Sequence, residues 1–271
     1  MQDMHARPEA WILSIGNELL VGRIVNTNAS WLARRLTFMG FNVSRIITIP
    51  DSIDDIVLEV RRGLGKVRVI ITTGGLGPTH DDVTLEGIAK ALNKNLILNS
   101  EAYEMIKEFY NRRNMPLTRE RIKMAYMPEG ARALRNPIGS APGCIIEVDS
   151  TIIVSLPGVP REMEAIFEEE VKSILEIIAP KISIVECSLK TRGIPESSIA
   201  PFLEHITKSH SNVYVKSHPL GFELDKPILE LRVLVSATSE DTAKGIARSI
   251  MEDIIREVLK LGGSTSSEYC V

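Results

Sequence analysis

Residues 67–86, VRVIITTGGLGPTHDDVTLE, carry the densest chemistry in the chain: three glycines within four positions, followed by two adjacent carboxylates. Gly74, Gly75 and Gly77 remove side chains where the chain must turn, so backbone N–H groups can approach an anion closely. Asp81 and Asp82 would repel a bare phosphate at that place. A divalent cation bridging carboxylate and phosphate oxygens removes the conflict, which points to Mg2+ or a similar hard metal. Ordinary turn chemistry competes with this reading, because glycine turns and an Asp at a helix start also occur without a ligand. The segment is not a Walker A loop, since no Lys-Ser/Thr follows the glycines, and it is not GxGxxG.

Such a turn works only if neighbouring elements hold it. Val67, Val69, Ile70 and Ile71 form a short continuous apolar run, the pattern of a central parallel strand covered on both faces. Leu85, Ile88, Ala89 and Leu92 follow at helical spacing, which sets the turn at a helix N-terminus whose dipole favours anions. Upstream, residues 10–15 read as a first strand running into GNELLVGRIVNTN at 16–28. A helix through Ala29, Leu32, Ala33, Leu36 and Met39 ends at Gly40, and a strand covers residues 41–49. Asp51 or Ser52 caps a second helix containing Ile53, Ile56, Val57, Val60 and Leu64. This βαβαβ order implies right-handed crossovers and a parallel sheet, with ligands at the carboxyl ends of the strands where the order reverses. Neighbouring first and third strands would bring Gly16 to Glu18 beside the glycine turn.

Downstream, residues 100–126 read as two helices divided at Pro116. Residues 143–156 read as a hairpin turning at Asp149 and Ser150. A long helix follows LPGVP and ends at Pro180. The fold class expected is α/β: a three-layer, mostly parallel sheet with a second, smaller α+β domain. The boundaries are 1–180 for the nucleotide-binding domain and 181–262 for the small domain, read as strand, helix, strand, strand, helix. The tail 263–271 is expected to be disordered, having too little apolar surface to offset its chain entropy.

Composition narrows the possibilities. The 271 residues are 44% hydrophobic and 25% charged, enough for one large domain and a small one. A net charge of −3 gives no basic excess for nucleic acid, and the longest apolar stretches are strand-sized, so neither a signal peptide nor a membrane span is expected. A cytoplasmic protein follows. Cys144, Cys187 and Cys270 are odd in number, far apart and outside CxxC pairs, so reduced, inert thiols are expected rather than a disulfide framework or a zinc site.

Four glycine- or proline-bearing turns recur in the first domain: GNELLVG at 16–22, GGLGPTHDD at 74–82, NPIGSAPGC at 136–144 and LPGVPREM at 156–163. With them the chain resembles the molybdopterin-binding domain superfamily (MogA/MoaB-like), and specifically the N-terminal region of CinA-type competence/damage-inducible proteins. The resemblance runs from residue 10 to about residue 262, including a small domain described in that family as KH-like. It does not extend to the C-terminal nicotinamide mononucleotide deamidase domain of full-length CinA proteins, so that activity is not assigned.

The resemblance implies a nucleotide- or pterin-nucleotide-binding domain in which Gly74, Gly75, Gly77 and Asp82 bind phosphate and metal. Thr84 and Glu86 fit the same pattern, whereas Leu76 replaces the Thr usual in molybdopterin-transferring relatives. It also implies metal-dependent cleavage of ADP-ribose or a similar diphosphate, with Mg2+, Co2+ or Mn2+ as cofactor. In that scheme the diphosphate lies on the amides of Gly74 to Gly77 and Gly143, with Gly158 in the adjoining turn and Ser140 donating its hydroxyl. Asp81 and Asp82 hold metal, and Glu18 is a second ligand or a water-orienting base. Asn26 and Asn28 reach ribose or base edges, unless Asn28 caps the next helix. Arg161 and Glu162 could also reach the ligand. The alternative is a molybdopterin or nucleotide binding or transfer protein without hydrolysis. The expected partners are a small nucleotide diphosphate and a second copy of the chain, with no nucleic acid: residues 181–262 lack the GXXG loop of KH recognition.

Overall fold

The computed structural model describes residues 7–223 and 226–271. They form two compact units: residues 8–37 with 41–179, and residue 7 with residues 38–40, 180–223 and 226–271.

The larger unit begins β1 (Glu9–Ile15), α1 (Asn17–Leu20), α2 (Thr27–Phe38), β2 (Asn42–Ile49), α3 (Ile53–Gly63), β3 (Val69–Thr73) and α4 (Thr84–Ala91). It continues through β4 (Leu96–Leu98), α5 (Ser100–Asn111), α6 (Arg119–Lys123), β5 (Tyr126–Pro128) and β6 (Arg132–Leu134). The hairpin β7 (Gly143–Val148) and β8 (Thr151–Leu156) follows, and α7 (Pro160–Ile166) and α8 (Lys172–Ile178) complete the unit, joined by a π-turn. Six strands make one sheet in the order β2-β1-β3-β8-β7-β6. The pairings β2–β1, β1–β3 and β3–β8 are parallel, and β8–β7 and β7–β6 are antiparallel. The hairpin therefore adds its antiparallel strands beyond β8, turning at Asp149, whose φ of 53° suits a tight turn.

Both faces of β1, β3 and β8 are covered, which is why their sequences are largely apolar without alternation, whereas the edge strand β2 is exposed at its middle. Trp11, Leu13, Ile15 and Ile70 share one core with Ile56 and Val60 of α3 and with Leu85 and Ile88 of α4. The intervening Ile12 and Ile71 are also fully buried, so by strand alternation the opposite face is packed as well. There Trp31 of α2 meets Phe167 edge-on, with ring centroids 5.3 Å apart. Three layers result. Of the two candidate caps for α3, Ser52 takes the role, accepting from the Asp55 amide.

The smaller unit holds β9 (Ser183–Arg192), α9 (Glu196–Ser209), β10 (Val213–Glu223), β11 (Lys226–Ala237), α10 (Glu240–Lys260) and β12 (Ser264–Cys270). Its antiparallel sheet runs β10-β11-β9-β12. Leu229, Leu231, Val233 and Val235 of β11 share a core with Ile199 and Leu203 of α9 and with Ala247, Ile250 and Ile254 of α10.

Two expectations fail here. The tail read as disordered forms β12, because backbone pairing with β9 supplies what its side chains lack, and Cys270 lies opposite Cys187 in that ladder. The same pairing brings the two sulfurs together as a disulfide between residues 83 positions apart, so two of the three cysteines are not free thiols. Cys144 alone is unpaired and is buried in β7.

Candidate functional site

The carboxyl ends of β1 and β3 lie side by side at the place where the chain's direction of travel across the sheet reverses. β1 leads outward to β2, whereas β3 neighbours β8 on its other side. The turns leaving β1, β3 and β8 enclose a cavity of about 380 Å3. Its walls include Gly16, Glu18, Gly74, Gly75, Gly77, Asp81, Asp82, Ser140 and Gly158. Residues from four separate turns, chosen from sequence, thus converge.

The glycine turn is shaped by contacts that only glycine permits. Gly74 has φ 103° and Gly75 φ 66°, and a Cβ on Gly74 would lie 2.1 Å from the Ile15 carbonyl oxygen. Thr84 fastens the turn from beneath: its amide donates to the Gly75 carbonyl at 3.2 Å and its hydroxyl to the Gly74 carbonyl at 2.8 Å. Thr84 is fully buried, so it holds the turn rather than the ligand. Glu86 pairs with Lys90 on the surface of α4.

The acids are arranged around the same opening. Asp82 folds back over Gly77, where a Cβ would come within 2.7 Å of its Oδ2. That oxygen accepts from the Thr79 amide at 2.8 Å and the Thr79 hydroxyl at 2.6 Å. The same hydroxyl contacts Asp81, and this contact, together with the Asp81 amide and the positive charges of His80 and Lys123, holds the Asp81 carboxyl below the ordinary carboxylate range. Glu18 lies over Gly16 in the same way that Asp82 lies over Gly77.

Two further acids enter the cavity wall. Asp51, at the end of β2, accepts from the Asn17 amide at 2.8 Å. Glu162, in the first turn of α7, accepts from Asn136 at 2.7 Å, and Asn136 in turn accepts from the Gly139 amide at 2.7 Å. Asp51 was legible only as a cap candidate. Its position immediately after a strand beside β1 was the usable signal. The role of Asn136 as the knot of the NPIGSAPGC loop left no signal beyond the loop's glycines.

Five carboxylates line one cavity, yet among the described residues no three His, Cys, Asp or Glu side chains are grouped as metal ligands. The described residues therefore build no all-protein cage. It fits a cation that takes one or two carboxylates and completes its shell with phosphate oxygens and water, as Mg2+ does.

The two asparagines hold the backbone in place. Asn26 Oδ1 accepts from the Ala29 amide at 3.1 Å, so Asn26, not Asn28, caps α2. Asn28 is buried and donates to the Thr73 hydroxyl and the Gly158 carbonyl, both at 2.9 Å, tying the ends of β3 and β8 together. Both line an adjoining cavity of about 280 Å3 that shares Glu18, Gly74 and Gly158 with the first. Gly143 lies outside both cavities. It sits inside β7, where a Cβ would press on the Ser155 carbonyl, Ile166 and Leu134, so its small size serves packing.

A three-layer, mostly parallel sheet with a glycine- and acid-lined cleft at its switch point defines the class: an α/β domain with its cleft at the carboxyl edge. The chain belongs to the family described as probable molybdopterin binding domain, whose model matches residues 11–177. A protein of Aeropyrum pernix is 51% identical over 265 residues, covering 98% of this chain and 99% of the relative. One from Metallosphaera sedula is 46% identical over 256 residues, covering 94% and 96%. Among solved structures, CinA from Thermoplasma acidophilum, described as of unknown function, aligns with 40% identity and a TM-score of 0.58 over 62% of this chain and 98% of its own. No helix among the described residues is long and apolar enough to cross a membrane.

Proposed function

We propose that the large domain is a binding or transfer protein for a nucleotide or pterin-nucleotide diphosphate, which occupies the cleft over β1, β3 and β8. The observation that carries this reading is the left-handed Gly74–Gly75 turn, which the Gly74 amide anchors by donating to the Leu156 carbonyl at 3.0 Å and which lines a cavity at the sheet's switch point in a chain of the molybdopterin-binding family. Bare amides bind phosphate oxygens, and the surrounding acids require a bridging cation, Mg2+, Co2+ or Mn2+, before a diphosphate can settle. The cation would be held by Asp81 or Asp82, and its chemistry when bound is charge neutralisation between carboxylate and phosphate.

A second reading, hydrolysis of ADP-ribose or a similar diphosphate, is favoured by one observation: Glu18 faces the same cavity as the Asp81–Asp82 pair and could orient water. Calorimetric titration with ADP-ribose and with ADP, each with and without Mg2+, tests the binding reading, and pterin fluorescence of the purified protein tests the pterin branch. Metal-dependent binding that Asp82→Ala loses is expected. Absence of binding by every probe, together with absence of pterin, defeats the proposal. AMP release from ADP-ribose by the intact chain but not by Asp82→Ala would establish hydrolysis, and its absence removes the second reading alone.

A further inference from the structure

A second concavity, of about 330 Å3, opens beside the cleft and shares Ser140 with it. Its wall is cationic. Arg112 and Arg113 come from the end of α5, and Arg135 from the residue after β6. Glu108 is the one acid lining it, and its carboxylate is divided between two guanidinium groups: Oε2 accepts from Arg135 at 3.0 Å while Oε1 contacts Arg112. Three guanidinium groups against one carboxylate leave two positive charges. Each guanidinium carries five donors, so a single shared carboxylate leaves most of them unused. Arg113 is placed by its Phe109 neighbour, with its guanidinium 3.6 Å from the ring centroid and one nitrogen donating to the Phe109 carbonyl at 3.2 Å.

A neutral group would gain little from such a wall, whereas a tetrahedral dianion matches both its net charge and the forked geometry of guanidinium donors. We propose that this arginine-lined pocket binds a phosphate monoester carried by the same ligand whose diphosphate occupies the neighbouring cleft. The inference rests on the diphosphate reading of that cleft and narrows its ligand to a diphosphate bearing one further phosphate. Ser140, half-buried between the two spaces, is the point over which the ligand passes. Asn136 supports the wall between them, lining the arginine pocket while donating to Glu162 of the cleft.

The test is calorimetric titration of the full chain with inorganic phosphate, before and after saturation with ADP-ribose, which has no phosphate monoester. Phosphate is expected to bind the saturated protein. The double variant Arg112→Ala/Arg135→Ala is expected to weaken that binding by about tenfold or more while leaving ADP-ribose affinity unchanged, and Glu108→Gln is expected to strengthen it. Phosphate excluded altogether by ADP-ribose, or bound equally by the double variant, overturns the proposal. Should ADP-ribose itself not bind, the diphosphate reading fails separately, and phosphate titration of the intact chain against the double variant still decides the pocket. Arg112 and Arg135 are exposed and Glu108 is half-buried, so circular dichroism is expected to show both variants folded.

Discussion

The two larger sheets of this protein finish their strands in opposite ways. In the large domain β1, β3 and β8 all end on one edge, and each runs into a glycine or proline turn that leads to a helix. In the small domain the strands alternate in direction, and the last of them is fastened to its neighbour by Cys187–Cys270. A parallel sheet collects strand ends and helix N-termini at one place, so free amides accumulate there; an antiparallel sheet spreads them over both ends and its dipoles cancel. Capacity for an anion therefore falls to the domain whose topology gathers amides, while the other domain spends its bonds on closing itself.

Glycine substitution should expose that contrast most strongly. Gly74→Ala places a Cβ 2.1 Å from the Ile15 carbonyl at φ 103°, where left-handed strain and overpacking together should cost on the order of 4 kcal/mol. Gly262→Ala in the small domain has φ 82° but nothing within 4 Å, so backbone strain of about 1 kcal/mol is all that remains. Urea midpoints for the two variants measure the difference, and equal losses would break the comparison. Reduction of the disulfide comes next. Opening a link between residues 83 apart should lower stability by about 3 kcal/mol, with hydrogen exchange rising in β12 and β9 and not in β3. Equal acceleration in both sheets would show that the clasp is not local.

The large domain was legible because its signals were local and repeated. Apolar runs marked the central strands, and four turns with unusual glycine content marked one edge of the sheet. The approach of Glu18 to Gly74 followed from the βαβαβ order once those strands were placed, whereas Ser140 came only with the family resemblance. What escaped the sequence depended on non-local pairing. The tail STSSEYC has no strand pattern of its own and is ordered by its register with β9, and that register also makes the Cys187–Cys270 bond. Glycine identity misled for a related reason. Gly143 is small for the Ser155 carbonyl, so an empty Cβ position records a neighbour of any kind, ligand or protein.

Smaller effects sharpen the same comparison inside the large domain. Thr84→Val removes the hydroxyl donated to the Gly74 carbonyl and keeps the shape, so a loss of about 1.5 kcal/mol is expected, recovered by Thr84→Ser. A Val variant as stable as the parent would mean that the turn needs no fastening from α4. The smallest effect belongs to Cys144. Burial pushes its thiol up to about 12, whereas an unfolded cysteine titrates near 8.5. Above that lower value the unfolded chain releases a proton that the folded chain keeps, so stability falls as pH rises, by about 0.8 kcal/mol at pH 9. Cys187 and Cys270 add nothing to this slope while they are bonded, because a disulfide does not titrate. Unfolding curves at pH 7 and pH 9 for the parent and Cys144→Ala isolate the contribution: the alanine chain should lose less stability over that interval, and parallel losses would place Cys144 in contact with water.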